Sequence, residues 1–96
     1  MSAPSSALRR TVTIVNQRGL HARASAKLVG CVAELPATEQ VRVAKDGNEA
    51  AGGSILGLMM LGAAKGDTVE VIAEGENAQG TLDTVCALIE DGFGEE

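Results

Sequence analysis

The dipeptide Asp46-Gly47, set between the runs VRVAK and NEAA, limits this chain more than any other feature. Asp-Gly readily takes the left-handed backbone of a two-residue hairpin turn, so two strands are expected side by side and antiparallel there. A purely parallel sheet is thereby excluded. In VRVAK, Val41 and Val43 alternate with Arg42 and Lys45, the pattern of a strand with one face in water. RRTVTIV repeats it, with Val12 and Ile14 opposed to Thr11 and Thr13, and TVEVIAE is the best strand in the chain. NEAAGG is a short, weak return strand.

Between the strands the period changes. From Ala22 to about Leu35, Arg23, Lys27, Gly30 and Glu34 make one polar stripe at helical spacing, and Pro36 stops the helix. The rest of that helix is nearly all apolar, an arc wider than one core face needs. SILGLMMLG reads as a short helix to about Leu61, with Ser54 as its N-cap. Asn77 is placed to cap a last helix, on which Ala78, Leu82, Val85, Ile89 and Phe93 share one side and Gly92 offers the stop. The expected fold is α+β: a four-stranded antiparallel sheet with all three helices on one face, in the order βαββαβα. The 96 residues suffice for one domain, read as 8–96 after a loose tail at 1–7.

Composition narrows the function. The net charge is −5, and the aromatic residues amount to one Phe. Such a surface repels phosphate backbones and gives bases nothing to stack on, so nucleic acid is not an expected partner. Cys31 and Cys86 are far apart and read as reduced, packed thiols. With a single histidine they make no zinc-like set, and no metal or cofactor is expected. MSAPSSALRRT has no signal-like apolar run, and nothing approaches a membrane span. The expectation is a cytoplasmic protein.

The one histidine, His21, lies in NQRGLHARASAKLV, where the first helix begins. At the N-cap, its ring would sit beside the backbone N–H groups of Ala22, Arg23 and Ala24, which have no intrahelical acceptor. Those donors and the helix dipole suit a phosphate, and the Arg23 guanidinium adds a charged fork. Positive surroundings disfavour imidazolium, so a neutral, nucleophilic ring is expected. The alternative is a surface cap with no chemistry. From these residues alone both stay open.

GLHARASAKLV resembles the active-site segment of HPr, the phosphocarrier family of the bacterial phosphotransferase system. GGSILGLMMLGAAKGDTVEV resembles the same family's serine-site helix and following strand, at the expected separation. The resemblance spans about residues 8–93. It implies the open-faced β-sandwich, phosphorylation of His21 on Nδ1 by phospho-enzyme I, stabilisation of the phosphate by Arg23, and onward transfer to an EIIA-type protein. It also implies that Ser54 is the regulatory serine modified by HPr kinase/phosphorylase, and that Leu28, Ile55, Leu56 and Met59 belong to a docking patch. Ala24 stands where the family usually has Pro. EDGFGEE resembles the nitrogen-related members, which allows a regulatory circuit in place of sugar import. A monomer presenting one face to several partners is expected.

Two other readings compete with the carrier: a regulatory module that signals by its phosphorylation state without carrying flux, and a small ferredoxin-like enzyme acting on a phosphorylated metabolite. The enzyme reading lacks a second catalytic group.

Overall fold

The structure, a computed structural model, describes residues 7–95. Residues 1–6 of the expected tail and residue 96 of the expected domain lie outside the described residues. The elements run β1 (Leu8–Thr13), α1 (Ala22–Ala33), β2 (Gln40–Lys45), β3 (Asn48–Ala51), α2 (Ile55–Met60), β4 (Thr68–Glu74) and α3 (Ala78–Glu90), with a 3₁₀ turn at Gly92–Gly94. The four strands form one antiparallel sheet in the order β1-β4-β2-β3. The expected α+β architecture is therefore present.

Asp46 and Gly47 take φ of 51° and 86°, both left-handed, as a tight hairpin turn requires. The β2–β3 pairing closes at Lys45 opposite Asn48. β4 lies between β1 and β2, which puts Val12 opposite Val69, and Val71 between Arg10 and Val43. With a period of two, this register gathers Val12, Val41, Val43, Ala50, Val69, Val71 and Ala73 on the helix-covered face. Ile72 falls on the opposite face yet is 1% exposed. Its register partners, Arg9 and Arg42, carry the long apolar stems that can shade such a position. Lys45 departs from its expected place. It shares the parity of Val41 and Val43, and its ammonium group bonds Asp46 at 2.8 Å and lies 3.9 Å from Asp67.

α1 ends at Ala33, two residues short of Leu35. Its Ala24 and Leu28, four residues apart, are fully buried in the common core. Leu28 is 0% exposed, so its assignment to a docking patch is wrong: it is core. The surplus apolar arc of α1 also turns inward, because Val29, Cys31 and Val32 are partly buried against that core.

α3 begins after Asn77 as expected, but the Asn77 side chain makes no capping bond. Glu39, from the loop before β2, does that work. Its Oε2 accepts from the Asn77 N–H at 3.0 Å, and its Oε1 accepts from Thr81 Oγ1 at 3.0 Å. Thr38 Oγ1 adds a bond of 2.8 Å to Oε2. Donation first from the Asn77 backbone holds the Glu39 carboxyl below the usual carboxylate range. A depressed folded-state value contributes stability above the unfolded value of about 4.3, and that contribution is lost as pH falls through the folded value. Glu39→Gln should therefore lower the urea midpoint at pH 7, and the gap from the parent should narrow through the acid range. A gap that stays constant with pH would remove the carboxylate from this role.

Candidate functional site

The loop leading into α1 is tied down by its own sequence. Asn16 accepts the Gly19 N–H on its carbonyl at 3.2 Å and donates from its side chain to the Gly19 carbonyl at 2.8 Å. Gly19 takes φ of 63°, and any side chain there would collide with the Ala63 carbonyl. That close approach lets the Leu20 N–H donate to Ala63 O at 3.0 Å. Leu20 then buries its side chain, and Ser25 Oγ donates back to the Leu20 carbonyl at 3.1 Å. With the loop pinned on both sides, His21 has only one place to stand.

It stands at the N-cap of α1, in extended backbone conformation. Ser25 N–H to His21 O, at 2.9 Å, opens the helical ladder. The N–H groups of Ala22, Arg23 and Ala24 lie ahead of that ladder and are left to other partners. One is used by the ring: the Arg23 N–H donates to His21 Nδ1 at 3.2 Å. A backbone N–H only donates, so Nδ1 carries the lone pair, and the proton of a neutral ring is on Nε2.

His21 lines an open cleft of about 400 Å³ with Arg18, Arg23, Lys27, Gly94 and Glu95. The guanidinium groups of Arg18 and Arg23 are exposed and have no side-chain partner among the described residues. Lys27 Nζ donates to Phe93 O at 2.7 Å. Of the basic residues in the first third of the chain, Arg9 and Arg10 are elsewhere, paired with Glu70 and Asp83 at 2.8 Å each. The cleft thus brings three cations, the Arg23 N–H and an imidazole lone pair to one mouth, an arrangement that accommodates a phosphoryl group beside a nucleophile.

One expectation about the ring needs correcting. Its surroundings are not uniformly positive. Glu95 Oε2 lies 2.9 Å from His21 Nε2. The imidazole contact, first, and the Asn16 amide hold the Glu95 carboxyl below its usual range. Nothing local in the sequence marks Glu95 as a site residue, since it is 74 positions from His21. Only the glycines that flank Phe93 hint that the chain turns there.

The remaining candidates lie outside the cleft. Ser54 is the N-cap of α2, and its Oγ accepts from the Gly57 N–H at 2.9 Å. Ile55, Leu56 and Met59 are exposed, Leu56 by 67%. Met60, which the sequence reading passed over, is more exposed still. A six-residue helix has too few faces in contact with the core to bury them, and only Leu58 goes fully inside. Among the described residues no helix is long and apolar enough to cross a membrane.

Comparison with known proteins agrees with this geometry. The family described as "PTS HPr component phosphorylation site" matches residues 8–91. Phosphocarrier protein HPr of Cupriavidus necator is 42% identical over 88 residues, which cover 92% of this chain and 97% of that one. Phosphocarrier protein NPr of Shewanella violacea is 39% identical over 88 residues, covering 92% and 94%. The crystal structure of HPr from Thermoanaerobacter tengcongensis aligns with a TM-score of 0.84 at 36% identity, over 93% of this chain and 98% of that one. Its family match spanning both the histidine loop and the serine helix, and its fold shared with solved relatives, this chain belongs to the HPr family of phosphocarrier proteins of the phosphotransferase system.

Proposed function

We propose that the protein is a stoichiometric phosphoryl carrier, which takes phosphate on Nδ1 of His21 from phospho-enzyme I and gives it to an EIIA-type protein. The observation that carries this reading is the Nδ1 lone pair held at the mouth of a cleft with two guanidinium groups that have no side-chain partner among the described residues. Attack by Nδ1 on phosphorus forms the N–P bond while the bond between phosphorus and the donor's atom breaks, its electron pair staying with the donor. The Arg23 N–H, released from the ring nitrogen, turns to a phosphoryl oxygen, and the Ala22 N–H and the Arg23 side chain share the charge, while Ala24, fully buried, takes no part. Little else is asked of a carrier, because the partner supplies the other half of each transfer.

The protein, incubated with phosphoenolpyruvate and enzyme I, should gain one phosphate by intact mass, and acid should remove it. No gain, with an enzyme I that charges another carrier, would favour the module that signals without flux. The exposed Ile55, Leu56, Met59 and Met60 on α2 are the docking surface in this reading, with Met supplying a side chain that adapts to more than one partner.

Ser54 is the regulatory position in the same reading, for a kinase of the HPr kinase/phosphorylase type. A phosphate at Ser54 is tolerated at the start of a helix but sets negative charge beside the apolar docking helix, where a phosphorylated donor must approach. Ser54→Asp should slow charging of His21 by about tenfold, the equivalent of one unfavourable contact of about 1.4 kcal/mol. An unchanged charging rate in a stopped-time mass assay would separate Ser54 from control of transfer.

A further inference from the structure

The last described residues are bent over His21 by an unusual stretch of backbone. Gly92, Phe93 and Gly94 take φ of 67°, 60° and 73° in succession. Left-handed backbone is easy for the two glycines and costs a phenylalanine about 1–2 kcal/mol. That cost is borne because Phe93 is 1% exposed, packed in the common core, and because Lys27 Nζ holds its carbonyl at 2.7 Å. The bend delivers Glu95 to the cleft. Its Oε2 meets His21 Nε2 at 2.9 Å, and its Oε1 accepts from Asn16 Nδ2 at 3.3 Å.

We infer that Glu95 is a positioning residue for transfer at His21: it keeps the ring proton on Nε2 and balances the charge the ring acquires when Nδ1 is phosphorylated. This rests on His21 being the acceptor. The neutral ring carries its one proton on Nε2, donated to Glu95. The Nδ1 lone pair forms the new bond to phosphorus, the bond between phosphorus and the donor's atom breaks, and that electron pair leaves with the donor. No proton leaves His21. The product ring bears phosphate on Nδ1 and still a proton on Nε2, so it has imidazolium character. A carboxylate in contact with that N–H stabilises the new positive charge. The phosphoryl oxygens lie on the other side of the ring, so their repulsion of Glu95 acts over a longer distance than its attraction to the ring. A carboxylate on the second nitrogen is also how ligating histidines are held in one tautomer.

The test compares the full chain with Glu95→Ala and Glu95→Gln. His21 is the only histidine, so ¹⁵N spectra of its ring report one residue. At a pH where the ring is neutral, the parent should show the Nε2–H tautomer almost alone. Glu95→Ala leaves the tautomer to the longer 3.2 Å bond from the Arg23 N–H alone, so it should show a mixture of both tautomers and charge from enzyme I about tenfold more slowly, the loss of one charge-assisted hydrogen bond. Glu95→Gln keeps an acceptor without charge; it should hold the tautomer and still charge slowly. A charged parent with a Glu95→Ala variant equal to it in tautomer and rate would overturn this inference alone. A parent that takes no phosphate overturns the acceptor reading and this inference with it.

Discussion

His21→Ala should take no phosphate from phospho-enzyme I while keeping its fold. The two effects differ in size for a physical reason. Structurally, the ring contributes one N-cap bond of 3.2 Å from the Arg23 N–H and one contact with Glu95, both near solvent. Losing a side-chain cap costs about 1 kcal/mol. The residues that anchor α1 in the core, Ala24 and Leu28, are fully buried and are untouched by the substitution. Chemically, the ring supplies the only nitrogen lone pair in the cleft, because the other nitrogens are on Arg18, Arg23 and Lys27. A guanidinium or an ammonium group offers donors only and has no lone pair with which to attack phosphorus. Intact-mass spectrometry of the variant beside the parent, with circular dichroism to establish folding, checks both halves. A phosphate that appears on the folded variant would sink the assignment of His21.

Phe93→Ala is the substitution expected to cost the fold most. Phe93 is the single aromatic side chain, almost fully buried, and shares the core with Leu28, Leu82 and Val85. Removing such a side chain costs about 3–5 kcal/mol, a large share of the ~5–15 kcal/mol that holds a domain of this size. Alanine gives little relief of backbone strain in return, since φ of 60° is disfavoured for it too. The urea midpoint should fall steeply with little change in slope. A loss near 1 kcal/mol would mean instead that Lys27 and Asn16 hold the C-terminal bend without the ring. Where enough protein stays folded, the bend should loosen and the Nε2–Glu95 contact should weaken, so the ring spectra of this variant should move toward those of Glu95→Ala.

Much of this architecture could be read along the chain because it is written over short distances. Asp46-Gly47 needs nothing beyond its own dihedrals to reverse the chain. Val12, Ile14, Val41 and Val43 declare a buried face by alternation. His21 and Ser54 are capping positions because the helical pattern starts after each of them. The docking role of Leu28 failed on the same ground. A count of apolar residues around α1 says how many are present, and only the neighbouring elements decide which of them face inward. Ile55, Leu56 and Met59 differ from Leu28 because α2 is short and lies at the margin of the core, not because their side chains are any less apolar.

Separation along the chain divides what the sequence by itself determined from what needed the tertiary structure. The strand and helix order, the hairpin, the histidine at the start of α1 and the arginine beside it are local, and the sequence determined them. The placement of β4 between β1 and β2, the capping of α3 by Glu39 from 42 residues before Thr81, and the arrival of Glu95 at His21 across 74 residues were decided only by packing. Backbone dihedrals and side-chain periods act between neighbours. A carboxylate finds a distant imidazole only after a buried phenylalanine and a lysine have bent the chain to bring it there.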